Sequence, residues 1–146
     1  MLNPKFIPLA VTCCLFFVLF GIGSVQFDGF GCSRVFFNLL SVNAFLFIAA
    51  VGMTFVILSG GIDLSVGAVI ALTGVVCSVL ISKYQWHPLV VFPVVLIGGT
   101  AFGAIMGAII HYYKMQPFIV TLAGMFFARG LASVISEESI PIEHEF

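Results

Sequence analysis

The feature that most constrains this chain is a series of apolar stretches of about 18 to 24 residues, separated by short polar segments. Of the 146 residues, 62% are hydrophobic and only 8% are charged, whereas a soluble domain has about 25% charged residues. The charged residues between positions 34 and 137 are Asp63, Lys83, Lys114 and Arg129. A soluble chain of this size needs polar groups to cover its surface, so this chain needs lipid as its solvent. The sequence therefore predicts a membrane protein with several spans.

The length of the apolar stretches predicts helices, because a helix needs about 20 residues to cross a bilayer and satisfies its own backbone hydrogen bonds. We therefore predict an all-α fold, a polytopic transmembrane helical bundle of about five spans, in which residues 1–146 form part of one transmembrane domain. The predicted spans are residues 6–25, 36–58, 64–81, 89–112 and 118–135, followed by an acidic tail at residues 136–146. Lysine and arginine counts tie between the two faces, so the orientation stays open.

The run GGIDLS at residues 60–65 separates the second and third predicted spans. Each glycine costs a helix about 1 kcal/mol, and Asp63 has the character of an N-cap for a helix starting at Leu64, with Ser65 as an alternative cap. Two interpretations remain open: a discontinuous helix beside a polar pathway, or a tight turn between two ordinary helices. The candidate pathway residues are Gly60, Gly61, Asp63 and Ser65, with Asn43 and Thr54 on the preceding helix as weaker candidates.

Small residues recur at helical spacing in the later spans. Gly99, Gly103 and Gly107 are four residues apart and therefore share one side of the fourth predicted span. Gly124 begins a similar series in the fifth span. Glycines on one side of a helix let a second helix approach closely. We expect these four glycines to serve helix packing inside a compact bundle.

Arg129 lies near the middle of the fifth predicted span and has three interpretations. It is a functional charge inside the membrane, a side chain that extends to the interface, or a sign that the helix starts later. The chain has no Walker A, HExxH or GxSxG motif, and its four cysteines form no CxxC pair. Its few basic residues are scattered, so the sequence favours neither an enzyme, nor a metal site, nor nucleic-acid binding.

Two segments carry a family resemblance. VGMTFVILSGGIDLSVG at residues 51–67 and PFIVTLAGMFFARG at residues 117–130 resemble the permease subunits of bacterial ABC importers of the ribose/xylose/galactose type. The tail SEESIPI at residues 136–142 is most similar to the permeases of galactofuranose importers. The similarity covers nearly the whole chain, and the GGIDLSVG part is highly specific.

The resemblance implies a passive pore half in the bacterial inner membrane, with a partial ABC-importer permease fold. Its partners would be a second permease subunit, a cytoplasmic ABC ATPase, a periplasmic sugar-binding protein and the sugar itself. The chain would hold no cofactor, because ATP would bind to the ATPase. Permeases of this family are roughly twice as long, and their loop that contacts the ATPase lies in the second half, so we expect an N-terminal fragment without that loop. Within this family the GGIDLS run favours the pathway interpretation.

Two other hypotheses stay open. The chain would alternatively belong to an ion-coupled secondary transporter, in which Asp63 binds the coupling ion. It would otherwise be a membrane remnant that packs with partners and transports nothing. Dependence of uptake on ATP, on an ion gradient or on neither separates the three hypotheses.

Overall fold

A computed structural model describes residues 6–138 and 140–141 of the chain, so most of the predicted acidic tail, including Glu143 and Glu145, lies outside the described residues. The helices in chain order are α1 (Ile7–Gln26), α2 (Ser33–Val42), α3 (Ala44–Leu58), α4 (Val66–Ser78), α5 (Pro88–Tyr113) and α6 (Pro117–Ile135), and a π-helical turn at Val79–Lys83 extends α4. The described residues contain no β-strand. The predicted all-α fold is thus confirmed.

By length and composition, four helical segments are long and apolar enough to cross a membrane, and the bent pair α2 and α3 is a fifth if it counts as one span. The first, third, fourth and fifth predicted spans begin and end within two residues of the helical segments Ile7–Gln26, Val66–Lys83, Pro88–Tyr113 and Pro117–Ile135. Proline stands at the first position of both α5 and α6. At the first position of a helix, a backbone N–H has no carbonyl partner within the helix. Proline, which has no N–H, therefore costs nothing there and favours the start of a helix.

The second predicted span was wrong as a continuous helix over residues 36–58. The helix begins earlier, at Ser33, and the chain bends by 51° between α2 and α3, at Asn43. The Asn43 side chain donates from Nδ2 to the Leu39 carbonyl at 2.8 Å, and its backbone N–H donates to the same carbonyl at 3.3 Å. Because an asparagine amide competes with the backbone for hydrogen bonds, it favours such an interruption.

The chain forms two compact units, residues 1–48 and residues 49–146. The first unit contains α1, α2 and the start of α3, and no residue of α1 or α2 is buried. Within this unit, the Phe20 ring on α1 lies 5.3 Å from the Phe30 ring and 6.0 Å from the Phe36 ring, measured between ring centroids.

The second unit contains a core at the meeting of α4, α5 and α6. The buried hydrophobic residues of the described chain are Ala68, Ile81, Val91, Met106, Val120 and Ala128. On α6, Thr121, Gly124 and Ala128 are buried at helical spacing, so one stripe of small residues faces the neighbouring helices. The other faces carry large apolar side chains such as Phe126 and Phe127, which are exposed within this chain and suit lipid.

Two hydrogen bonds tie the chain near α4 to the chain near α6, each joining residues 59 positions apart. At one end, the Thr121 hydroxyl donates to the Ile62 carbonyl at 3.1 Å. At the other, the Ser82 hydroxyl in the π-helical turn donates to the Pro141 carbonyl at 2.8 Å. The segments before α4 and after α6 are therefore both held against the α4–α6 pair.

Arg129 lies within α6, six residues before its end at Ile135 or about 9 Å along the axis. The helix starts at Pro117, so the interpretation that it starts later was wrong. Arg129 is exposed and forms no ion pair with any residue in the described part of the chain. Both other interpretations stay open.

Candidate functional site: the helix break and its cleft

The helix break at residues 60–65 starts with a defined end to α3. Gly60 has a φ of +78°, a left-handed conformation that glycine adopts without steric cost. Its N–H donates to the Ile57 carbonyl at 3.0 Å, and the Gly61 N–H donates to the Val56 carbonyl at 3.0 Å. This pair of bonds is a Schellman motif, which satisfies the last carbonyls of the helix. The two glycines thus end one helix before another begins.

Asp63 is not the N-cap that the sequence predicted. The next helix begins at Val66 rather than Leu64, and its N-cap position is Ser65, the alternative that the sequence offered. The Asp63 carboxylate accepts two hydrogen bonds at Oδ1, from the Ser65 backbone N–H at 2.8 Å and from the Ser65 hydroxyl at 2.6 Å. An aspartate that bonds to the backbone two residues later forms a turn that holds the intervening residues out of the helix. The non-helical segment therefore extends beyond Asp63 to Ser65.

The break is anchored on α6. Thr121, which is only 4% exposed, donates its hydroxyl proton to the Ile62 carbonyl inside the break. Gly61 is buried, and a Cβ placed on it would lie 3.5 Å from Pro117 Cβ at the start of α6. The N-terminal turns of α6 therefore cover part of the break.

The break opens onto a cleft of about 220 Å³ that we call the Asp63 cleft. Asp63 and Ser65 line it from the break, and Gly99, Phe102 and Gly103 line it from α5. Its remaining lining residues are Ala49, Val66, Val69, Ile70 and Met106. The structure therefore brings together two of the predicted pathway residues with two of the glycines that we had expected to serve packing.

The other predicted pathway residues of the second unit do not line the cleft. Gly60 and Gly61 shape the backbone of the break but are absent from the lining of the Asp63 cleft. Thr54 is exposed on α3, where its hydroxyl donates to the Ala50 carbonyl at 2.8 Å, and it does not line the cleft either. Asn43 belongs to the first unit, where its amide is bonded to Leu39. A pathway role for these residues stays a prediction.

The four predicted packing glycines have different surroundings. A Cβ on Gly124 would collide with Met106 Sδ, so α5 and α6 approach closely there. A Cβ on Gly99 would lie 4.0 Å from Thr73 Cγ2, an ordinary contact. A Cβ on Gly103 or Gly107 would meet no atom of the described chain within 4 Å. The packing role of Gly103 and Gly107 stays a prediction.

Three residues of the site were missed from the sequence. Thr121 anchors the break, and Phe102 and Met106 form the α5 side of the cleft. A threonine four residues after Pro117 in an apolar span was a usable signal, because a buried hydroxyl needs a partner. The apolar residues gave no comparable signal, since α5 is hydrophobic on every side.

The chemistry of the Asp63 cleft suits binding rather than catalysis. Its polar groups are one carboxylate and one hydroxyl, and they bond to each other. Within residues 6–138 and 140–141, no three His, Cys, Asp or Glu side chains are grouped as a metal site. A half-buried carboxylate between apolar walls accepts hydrogen bonds from a neutral polar ligand such as a polyhydroxyl compound.

Comparisons with known proteins establish the family. The model of a family described as a branched-chain amino acid transport system / permease component matches residues 35–144. The chain belongs to this family. This permease family is one of transport components, not of enzymes. The match covers the helix break, the Asp63 cleft and α4 to α6.

Curated relatives of this permease chain are themselves permease proteins. It is 55% identical to an inner membrane ABC transporter permease protein of Escherichia coli, YjfF, over 94% of this chain and 42% of that protein. It is 39% identical to a fructose import permease of Bifidobacterium longum, FruG, over 95% of this chain and 41% of the relative. It is 50% identical to a ribose import permease of Haemophilus influenzae, RbsC, over 66% of this chain and 29% of the relative. No solved structure matches the chain.

These relatives also locate the chain. Several apolar helices of membrane-spanning length, together with a relative named as an inner membrane protein, identify it as a multi-pass protein of the bacterial inner membrane. The chain spans about two fifths of the length of the first two relatives.

Proposed function

We propose that this chain is part of the permease of an ATP-driven sugar importer and that the Asp63 cleft forms part of the path of the sugar. The observation that carries the proposal is the cleft itself: a break between two helices of a permease chain presents a carboxylate to a space bordered by glycines. In many transporters, discontinuous helices expose backbone groups and helix ends to the substrate. The fructose and ribose import relatives support a sugar as the substrate.

The proposal includes partners. A second permease subunit completes the pore, a periplasmic sugar-binding protein delivers the sugar, and a cytoplasmic ABC ATPase binds ATP and drives alternating access. The chain itself binds no cofactor and makes and breaks no covalent bond. The family to which the chain belongs, described as a permease component of a transport system, supports this division of labour.

A finer proposal concerns the sugar. We propose galactofuranose, because the segment SEESIPI at residues 136–142 most resembles permeases of galactofuranose importers. In the structure, Ser136 donates its hydroxyl proton to the Glu138 carbonyl at 2.8 Å, and both residues border a second cleft of about 240 Å³ beside α4. On its α4 side this cleft is lined by residues from Ile70 to Ser78.

The test is uptake in the bacterium that carries the chain. The coding segment is deleted and then restored, and the uptake of labelled galactofuranose, ribose, xylose, galactose and fructose is measured in each strain. We expect deletion to abolish uptake of one sugar, galactofuranose on the finer proposal, and restoration to recover it. ATP depletion should stop that uptake, while collapse of the ion gradients at constant ATP should not.

Other outcomes would identify the competing hypotheses. Uptake that survives ATP depletion and fails when a sodium or proton gradient collapses would indicate an ion-coupled transporter. Unchanged uptake of every sugar after deletion would contradict the proposal and leave a chain that only packs with partners. Loss of ribose uptake with galactofuranose unaffected would overturn the finer proposal alone.

The carboxylate of Asp63 provides a sharper test. Asp63→Asn keeps an oxygen that accepts both hydrogen bonds from Ser65 but removes the charge. We expect uptake to fall about tenfold, equivalent to roughly 1.4 kcal/mol, with an unchanged amount of chain in the membrane. Asp63→Ala also leaves the buried Ser65 hydroxyl without its acceptor, so it should lower both uptake and the amount of folded chain. Equal uptake by the Asn variant and the unmodified chain would make Asp63 a structural residue.

A further inference from the structure

Gly103 and Gly107 form a natural pair for comparison on α5. They lie one helical turn apart, both are exposed, and a Cβ on either would meet no atom of the described chain within 4 Å. Gly103 lines the Asp63 cleft, whereas Gly107 does not. The space in front of Gly103 is therefore part of the cleft, and a side chain there would fill the cleft without colliding with a neighbouring helix.

The shape of the cleft limits what it holds. Its volume is about 220 Å³. One wall carries the Asp63 carboxylate, which accepts hydrogen bonds from hydroxyl groups. The facing wall, on α5, carries Phe102 and Gly103, an aromatic ring beside a position without a side chain. This combination suits a single sugar ring, whose hydroxyls meet the carboxylate and whose C–H face meets the apolar wall.

We propose that Gly103 determines the width of the sugar path, so that the cleft admits one unsubstituted monosaccharide ring between Asp63 and α5. This inference rests on the proposed function and deepens it, because it names the residue that selects the substrate by size. Gly99 lies one turn earlier on the same wall, but a Cβ there would contact Thr73, so a substitution at Gly99 tests packing as well as width. Gly103 is the cleaner position of the two.

The first experiment measures uptake by matched variants in the restored strain described above. Gly103→Ala should lower uptake at least fivefold and Gly103→Val should abolish it, while Gly107→Ala and Gly107→Val should stay within twofold of the unmodified chain. All four variants should be present in the membrane in equal amounts, because no described neighbour opposes the added atoms. Equal uptake by the two alanine variants would overturn the inference, even if deletion of the chain abolishes uptake and the proposed function stands.

The second experiment measures access to the cleft without requiring transport. The native cysteines, Cys13, Cys14, Cys32 and Cys77, are replaced by alanine, and a cysteine is introduced at position 103 or 107. A charged methanethiosulfonate reagent is then added to membrane vesicles that contain the chain. We expect Gly103→Cys to react, and the sugar whose uptake depends on the chain to slow that reaction at least threefold. The reaction of Gly107→Cys should show no such protection.

The outcomes separate the two levels of the proposal. If Gly103→Cys reacts without protection by the sugar, the cleft is aqueous but holds no sugar there, and the inference is wrong. Failure of Gly103→Cys to react would exclude a water-filled path at this position. If no sugar depends on the chain for uptake, the proposed function fails and the inference fails with it.

Discussion

Helices α1 and α6 have nearly the same length, 20 and 19 residues, and both are apolar enough to cross a membrane, yet they differ in burial. No residue of α1 is buried, whereas Val120, Thr121, Gly124 and Ala128 are buried on α6. On α1, large side chains such as Leu15, Phe17 and Leu19 point outward in several directions. On α6, a stripe of small residues lets the backbone approach neighbouring helices.

The comparison shows that crossing a membrane and packing inside a bundle have different requirements. Lipid solvates an apolar side chain as well as a protein interior does, so the hydrophobic effect does not drive one helix against another there. Close packing and hydrogen bonds decide instead. Helix α6 provides both, through its small residues and through the Thr121 hydroxyl, and it therefore anchors the break that forms the candidate site.

The largest expected effect is at the α6 stripe. Ala128 is 0% exposed, so Ala128→Leu forces extra atoms into a packed interface and should destabilise the second unit by about 1–3 kcal/mol. Ala10→Leu on α1 is the control, because Ala10 is exposed and a change of less than about 0.5 kcal/mol is expected there. Unfolding by SDS in mixed micelles, followed through the fluorescence of the single tryptophan, Trp86, measures both. Equal effects would show that the two helices do not differ in packing.

A second variant compares the helix break with α1. Gly60→Ala places an L-residue at φ +78° and should cost about 1–2 kcal/mol. Gly21→Ala in α1 should have the opposite sign and stabilise by up to about 1 kcal/mol, because Gly21 lies in a helix and a Cβ there meets nothing within 4 Å in the described chain. The same unfolding titration measures both. A neutral Gly60→Ala would contradict the left-handed conformation.

The smallest expected effect concerns two threonines. Thr121→Val keeps the shape of the side chain but removes the hydrogen bond to the Ile62 carbonyl, which should cost about 1 kcal/mol and loosen the break. Thr12 on α1 is exposed and donates only to the Pro8 carbonyl one turn earlier, at 2.9 Å, so Thr12→Val should change stability by less than about 0.5 kcal/mol. Hydrogen exchange of the Gly61 and Ser65 amides provides a local readout. Faster exchange at these amides only in Thr121→Val would confirm that α6 holds the break.

The helix break was predicted only in part from the sequence. Two glycines followed by Asp63 and Ser65 predicted correctly that one helix ends and another begins. The detail was wrong, because Asp63 has several possible hydrogen-bond partners at short range. In the structure it bonds to Ser65 and delays the helix start to Val66. The interruption at Asn43 was missed for a related reason, since an asparagine in a helix bonds to its own backbone without any change in the apolar pattern.

The sequence by itself determined that this chain lies in lipid, that its fold is helical and approximately where four spans lie. These results follow from the length of the apolar stretches and from the scarcity of charged residues, which are both properties of the local sequence. Its motifs also identified a sugar permease resemblance, and the comparisons confirm the permease family. Only the tertiary structure decided that Gly103 opens onto the same cleft as Asp63 while Gly124 lies against Met106. Glycines at equal spacing look alike in a sequence. What lies in front of each one depends on the neighbouring helices, and the chain brings those helices together only when it folds.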